Sequence, residues 1–283
     1  MSSLEEKEKF TARNDYAFKK LFGTEENKDI LIDFLSFAIG IDKNDFQGVE
    51  IQNNEITPQF YADKAGRLDI KTILKDERKI NIEMQNIYFS YYPIRSLFYW
   101  AELFTEKLKK GDEYSTLVQC IAINILNAPF PLTNKLHSVY NILEREEHSL
   151  LDDAFEIHFF DLTKLTGKEK TELGKWLMFI KTDEKRVREK LAKENPMIAK
   201  ANDVMNMFYS NEKEREAYQL ASKYECDRIS MLKETERKSM AQGMAQGAYN
   251  TKLETARNCL ALNMPIETIS KITGLMPEEI LKL

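Results

Sequence analysis

Two stretches decide the fold: Arg67-Leu68-Asp69-Ile70-Lys71-Thr72-Ile73-Leu74, and Lys79-Ile80-Asn81-Ile82-Glu83-Met84-Gln85-Asn86-Ile87. In each, side chains alternate with a period of two, the period of a strand. Leu68, Ile70, Thr72 and Leu74 fall on one face, and Ile80, Ile82 and Met84 continue it. Asp76-Glu77-Arg78 lies between the runs and reads as a three-residue hairpin loop. Such a loop pairs Lys75 with Lys79, which sets Asp69 opposite Gln85 and Lys71 opposite Glu83. Opposed residues share a face, as do residues two apart on one strand. The reading therefore gathers Asp69, Lys71, Glu83 and Gln85 on a polar face and leaves an apolar face for the core.

Outward from the hairpin, residues 14–39 carry Phe18, Leu21, Phe22, Leu31, Phe34, Leu35 and Ala38 at helical spacing. Asn14 or Asp15 is placed to cap that helix, and Gly23-Thr24 to interrupt it. Val49–Ile56 reads as a short strand. Ser90–Lys110 reads as a helix whose apolar stripe is Ile94, Leu97, Phe98, Ala101, Phe104 and Leu108, ended by Gly111. Leu117–Leu126 is a near-continuous apolar run, the signature of a buried central strand. The order helix, three strands, helix, strand describes an α/β core. Leu136–Arg145 and Ala154–Asp161 read as a further strand pair, and the chain is helical from Lys168 onward. Residues 211–239 are polar nearly all round, as in a solvent-exposed helix. The repeat Met240-Ala241-Gln242-Gly243, Met244-Ala245-Gln246-Gly247 follows. It fits either a close-packing helical face or a flexible linker, since glycine weakens a helix by roughly 1 kcal/mol. Three short helices are expected beyond residue 252. The organisation expected is a core with appended strands over 12–165, a helical extension over 166–250, and a small helical segment over 251–283.

The chain has 283 residues and a net charge of -5, so no global basic footprint marks a nucleic-acid binder. A DNA partner has to meet a local field, and residues 67–110 supply one, with nine cations against six anions. Lys75 and Lys79 are its candidate phosphate contacts. Cys120, Cys226 and Cys259 are far apart and in no ligand spacing, which excludes a disulfide framework or zinc site and fits a reducing cytoplasm. No apolar stretch is long enough to span a bilayer, so no membrane role is expected. His137, His148 and His158 show no ligand spacing, and phosphate-binding glycine loops are missing from the sequence.

The polar face of the hairpin has a chemical reading. Two converging carboxylates repel unless a cation sits between them, and magnesium prefers one or two carboxylates with phosphate oxygen and water completing its shell. Asp69 and Glu83 with Gln85 and Lys71 would make a phosphodiesterase centre. Alternating polar residues are also what any solvent-facing sheet shows, and the pattern alone does not separate the two.

Three segments resemble the PD-(D/E)XK nuclease family transposases, the Rpn family of recombination-promoting nucleases. They are Asn14-Asp15-Tyr16-Ala17-Phe18-Lys19-Lys20-Leu21-Phe22-Gly23; Gly66-Arg67-Leu68-Asp69-Ile70 followed by Ile80-Asn81-Ile82-Glu83-Met84-Gln85; and Arg95-Ser96-Leu97-Phe98-Tyr99-Trp100 followed by Gly111-Asp112-Glu113-Tyr114. Order and spacing match over about residues 12–127. The resemblance implies a restriction-endonuclease-like core, a mixed sheet in the order αβββαβ flanked by helices, with a mainly helical C-terminal region. It implies a DNA endonuclease using Mg2+, with Mn2+ as substitute, in a recombination, mobile-element or phage-defence setting. By position Asp69 and Glu83 become metal ligands. Gln85 stands where the superfamily's name has lysine, so transition-state charge rests more on metal or on Lys71. Asp15, Arg95 and Tyr99 become supporting residues, each with a plain structural alternative: a helix cap, a surface ion pair and a packed ring. The alternatives in function are a non-catalytic DNA- or protein-binding module of the same fold, or an RNA nuclease. The helix-turn-helix-like segment Ile266–Leu283 offers only Glu278, Glu279 and Lys282 to a groove, which favours packing or homodimer formation through the C-terminal helices over DNA reading.

Overall fold

The hairpin forms because two half-apolar strands meet at a tight polar turn. In the computed structural model, which describes residues 9–46, 50–52 and 70–283, β2 (Ile70–Ile73) pairs antiparallel with β3 (Lys79–Gln85). Glu77 N–H donates to the Leu74 carbonyl and Leu74 N–H to the Arg78 carbonyl, both at 2.9 Å. The loop is therefore Lys75-Asp76-Glu77, one residue earlier than the sequence reading, and Glu77 closes it at φ 69°. Asp76 fixes the turn by accepting from Arg78 Nε at 2.7 Å. The register moves accordingly: Lys71 faces Asn81, not Glu83. The shift is two positions along β3, so every side chain keeps its face. Asp69, expected opposite Gln85, lies outside the described residues.

β1 (Glu50–Gln52) adds antiparallel to β2. β4 (Cys120–Leu126) runs parallel to β3, and β6 (Phe155–Asp161) parallel to β4. β5 (His137–Tyr140) closes the edge antiparallel to β6. The sheet order is β1-β2-β3-β4-β6-β5. A parallel β3–β4 pair requires a crossover, and the helix after β3 provides it.

On one face lies the core. Asn14 caps α1 (Asp15–Phe22), its Oδ1 accepting from Ala17 N–H. α1 stops at Gly23 because the Lys20 carbonyl is taken by Asn27 Nδ2 at 2.8 Å, and a 3-10 turn leads into α2 (Lys28–Ile39). The apolar faces of both helices bury Phe18, Phe22, Ile30 and Phe34 against Ile70, Ile80, Ile82, Met84, Ile121, Ile123 and Ile125. The helical region read over residues 14–39 thus covers the apolar face that the hairpin leaves for the core. Helices α4 (Glu172–Lys181), α5 (Lys185–Ala192) and α6 (Pro196–Ser210) follow, and Trp176, Phe179, Met205 and Phe208 join the same core.

The opposite face carries α3 (Tyr92–Thr105), shorter than the Ser90–Lys110 expected and starting at the Pro93 turn. It presents the face that the sequence reading left outward. Ile94, Leu97 and Phe98 are exposed, while Tyr92, Ser96 and Leu103 are buried against the sheet. The helical period is as read and the inward face is reversed: Tyr92, Arg95 and Ser96 meet the polar Glu83 and Asn124, while Ala122, Leu126 and Phe159 on the same sheet face form a second apolar cluster with Tyr92.

Two compact units divide the chain, the first ending at Lys223 and the second spanning Tyr224–Leu283. α7 (Glu212–Ala261) contributes to both and stays helical through the glycine repeat. The second unit has a small core of Ala256, Ile269, Leu275 and Ile280, formed with α8 (Ile266–Thr273) and α9 (Pro277–Ile280). Gly274 makes the expected turn between these two helices, at φ 70°. Among the described residues no helix is long and apolar enough to cross a membrane.

Candidate active site

Every residue of β3 is buried, which places Glu83 inside the protein at 4% exposure. A buried carboxylate is costly unless its oxygens receive donors and its charge a partner. Glu83 receives both. Gln85 Nε2 donates to its Oε1 at 3.1 Å, and Arg95 donates a terminal guanidinium N–H to the same oxygen at 2.9 Å. The Tyr92 hydroxyl donates to Oε2 at 2.9 Å. Arg95 Cζ lies 4.6 Å from the Tyr92 ring centroid and 5.7 Å from that of Tyr99, so two aromatic rings hold the guanidinium over the carboxylate.

Beneath this layer lies a second. In the parallel β3–β4 ladder Glu83 is level with Asn124. The Tyr92 hydroxyl is 3.1 Å from Asn124 Oδ1, and Ser96 Oγ donates to that oxygen at 3.0 Å. Asn124 Nδ2 donates to the His158 carbonyl on β6 at 3.1 Å, which orients the amide. Tyr92, Arg95, Ser96 and Tyr99 recur at the spacing of one helix face. Burial, followed by the negative charge of Glu83, pushes the Tyr92 hydroxyl well above the usual tyrosine range, so it stays a proton donor.

The structure brings together Glu83, Gln85, Arg95 and Tyr99 from among the residues singled out in sequence. It separates others. Lys71 is directed along the same face to Glu106 at 3.5 Å, not to Glu83. Lys79 is 5% exposed and donates to the Leu103 carbonyl of α3 at 2.9 Å, so its ammonium is spent inside the protein and is unsuited to phosphate contact. Lys75 is exposed in the hairpin loop. The loop lies at the end of β3 away from Gln85, and Lys79 alone is about 13 Å along the strand from Glu83 at about 3.3 Å per residue. Asp15 pairs with the buried Lys19 at 3.4 Å in the first turns of α1. Unlike the two lysines, that helix start lies beside the Gln85 end of β3, where Asn86 Nδ2 donates to the Arg13 carbonyl at 3.2 Å. Asp69 is outside the described residues.

Sequence reasoning missed Tyr92, Ser96 and Asn124. Tyr92 and Ser96 were within reach: they lie three residues before and one after Arg95, on the same helix side. Asn124 carried a signal too, as a lone amide within the apolar run Cys120–Leu126.

The donor set fits a hard divalent cation. Glu83 offers carboxylate oxygens and Gln85 an amide oxygen, the ligand types that magnesium takes. Arg95 already places positive charge on that carboxylate, so a cation at Oε1 would share that oxygen with the guanidinium or displace it. Among the described residues no three His, Cys, Asp or Glu side chains cluster as a ready metal site. A cation at Glu83 would take its further ligands from water, from substrate or from residues outside those described. A family model described as PD-(D/E)XK nuclease family transposase matches residues 12–235. No curated protein and no solved structure matches the chain.

Proposed function

Because the chain belongs to the PD-(D/E)XK nuclease family transposases, we propose that it is a magnesium-dependent DNA endonuclease with Glu83 and Asp69 as metal ligands and Gln85 beside them. The observation that carries this reading is a carboxylate buried at 4% exposure, yet surrounded by oriented donors at the polar side of a sheet. A protein seldom keeps such a charge inside for stability alone, since an apolar residue there is often as good or better.

Within that reading, bound magnesium supplies charge neutralisation at the phosphate and lowers the pKa of water. The chain's own residues do the positioning. Glu83 presents Oε1 toward Gln85 and Arg95. Gln85, whose Nε2–H is donated to Glu83, keeps its amide oxygen to accept a hydrogen bond from an attacking water and so to aim it. Arg95, 23% exposed at its side chain, contacts Glu83 directly and also reaches solvent, which suits it to a phosphate oxygen. The face of α3 above the site excludes bulk water from Glu83 through the Tyr92 ring.

Nicking of supercoiled plasmid tests the reading. Wild type is expected to nick with magnesium and to stop when the metal is chelated, while Asp69→Ala and Glu83→Ala show no cleavage above background. Equal cleavage by wild type and Glu83→Ala would place the activity elsewhere or in a contaminant.

A further inference from the structure

Tyr92 is fully buried, 0% exposed, and its hydroxyl sits between Glu83 Oε2 and Asn124 Oδ1. A hydroxyl carries one proton. Asn124 Oδ1 already accepts from Ser96 Oγ at 3.0 Å, and the amide cannot turn because its Nδ2 holds the His158 carbonyl at 3.1 Å. The proton of Tyr92 therefore goes to the carboxylate, the stronger acceptor of the two. The ring that carries the hydroxyl is held in turn by Phe159 at 6.3 Å and by the Arg95 guanidinium at 4.6 Å. Glu83 is pinned at its inner oxygen by a group that is itself pinned on three sides. Its other oxygen, Oε1, accepts from two side chains, the buried Gln85 and the partly exposed Arg95.

We propose that Tyr92 is the positioning residue of the site: its hydroxyl fixes Glu83 through Oε2 so that Oε1 is presented for metal. This inference rests on the reading of Glu83 as a metal ligand. It assigns the Tyr92 hydroxyl alone, among the α3–β4 network it shares with Ser96 and Asn124, a role that is not chemical, since it acts through Glu83. A carboxylate that loses such an outer donor gains rotamers, and a ligand that must be re-ordered binds metal more weakly, by about 10- to 100-fold in comparable sites.

Tyr92→Phe isolates the hydroxyl. The ring and its packing on Phe159 stay, so the variant is expected to fold. Calorimetric titration of the full chain with manganese chloride is expected to show affinity weakened about 10-fold or more. The magnesium concentration for half-maximal nicking should rise by the same factor, while the rate at saturating metal stays within about 3-fold. Ser96→Ala removes a donor from Asn124 and leaves the Tyr92–Glu83 bond, so its metal affinity should match wild type. Tyr92→Phe that binds manganese as tightly as wild type overturns the positioning role. So does a lower rate at every metal concentration with unchanged affinity, or an equal affinity loss in Ser96→Ala, because either describes general loosening of α3. A wild type that neither binds manganese nor nicks overturns the metal reading itself, and is distinguished from the former by the wild-type titration alone.

Discussion

The two faces of strands β2, β3 and β4 are drawn from alternate residues of the same segments, and they are built on different physics. On the core face Ile70, Ile80, Ile82, Met84, Ile121, Ile123 and Ile125 meet α1, α2, α4 and α6 through apolar burial, which has no preferred direction. On the other face Asn81, Glu83, Gln85 and Asn124 are just as buried, but Glu83 and Asn124 are held through donors and acceptors supplied by α3, Gln85 and the β6 backbone. The first face stabilises in proportion to area and tolerates repacking. The second is close to neutral for stability when complete and costly when half complete. Strand alternation thus keeps the chemistry of Glu83 apart from the energy that folds the sheet, at a separation of one residue.

The largest effect expected from breaking this division is on cleavage. Glu83→Gln keeps the shape and one acceptor oxygen, which the amide can turn toward Arg95 and Gln85. Its new N–H2 then donates to the Tyr92 hydroxyl, whose proton can go to Asn124 Oδ1 at 3.1 Å, so the network stays complete but the charge is gone. Cleavage should fall at least about 1,000-fold, roughly 4 kcal/mol of barrier. Stability in urea should change by less than about 1 kcal/mol. A variant that loses several kcal/mol of stability would show that the site face also carries the fold.

The mirror substitution is Phe22→Ala. Phe22 is fully buried among Phe18, Phe34 and Trp176. Removing it should cost about 3–4 kcal/mol in denaturant unfolding, through lost burial and the cavity left behind. Nicking per folded molecule, measured well below the unfolding midpoint, should stay within a few-fold of wild type.

The same division explains what could be seen in the sequence. The core face was legible because apolar alternation in Arg67–Leu74 and Lys79–Ile87, and the 3.6-residue period around Phe18 and Phe34, report burial directly. The order of the first helix, the hairpin, the crossover helix and β4 followed from it. α3 was misjudged for the complementary reason. The apolar stripe predicts that Ile94, Leu97 and Phe98 face inward, yet Glu83 and Asn124 lie within an otherwise apolar patch of the sheet beneath, so Tyr92, Arg95 and Ser96 turn in to meet them while Ile94, Leu97 and Phe98 turn out. Hydropathy cannot register a polar interior, because it does not know which acceptors lie across the gap. The hairpin register was missed by one loop residue, since Glu77 adopts φ 69° without the glycine that usually signals such a position. Glu83 and Gln85 were picked out by pattern and resemblance, whereas Asn124 and Tyr92 needed the parallel β3–β4 pairing, a contact across a whole crossover.

A moderate effect separates the two lysines once grouped as DNA contacts. Lys79 is buried with its ammonium on the Leu103 carbonyl, so Lys79→Ala should destabilise by about 1–3 kcal/mol by leaving that carbonyl without its donor. Lys75→Glu, in the exposed loop, should change stability by less than about 0.5 kcal/mol. Its distance from Glu83 should also leave nicking at moderate salt unchanged. Loss of cleavage in Lys75→Glu with stability intact would return the hairpin loop to the DNA-binding surface.

The smallest effect tests the edge of the core face, where the division is least clean. His137 on β5 and His158 and Glu156 on β6 form a chain there: His137 Nε2 lies 2.9 Å from His158 Nδ1, and His158 Nε2 lies 2.5 Å from Glu156 Oε1. An ionised Glu156 takes the Nε2 proton of His158, which makes His158 Nδ1 the acceptor and His137 Nε2–H the donor. A proton taken up by His137 then enters at its Nδ1. Burial, followed by the neighbouring His158, lowers the His137 pKa to about 4. An unfolded histidine titrates near 6.5. Between those values the unfolded chain takes up a proton that the folded chain refuses, so stability is complete above about pH 6.5 and is lost as pH falls toward 4. Because the ring is partly solvated, the loss should be on the order of 1 kcal/mol. Glu156, held below the usual carboxylate range first by its hydrogen bond from His158, adds its own loss only in the acid range below that of ordinary glutamate. Urea midpoints at pH 7, 6, 5 and 4.5 should fall for wild type. His137→Phe, whose ring can keep the stacking on Phe160 at 4.1 Å, should flatten that part of the profile. An unchanged slope in His137→Phe would assign the proton to another group and leave the core face apolar in its energetics right to its edge.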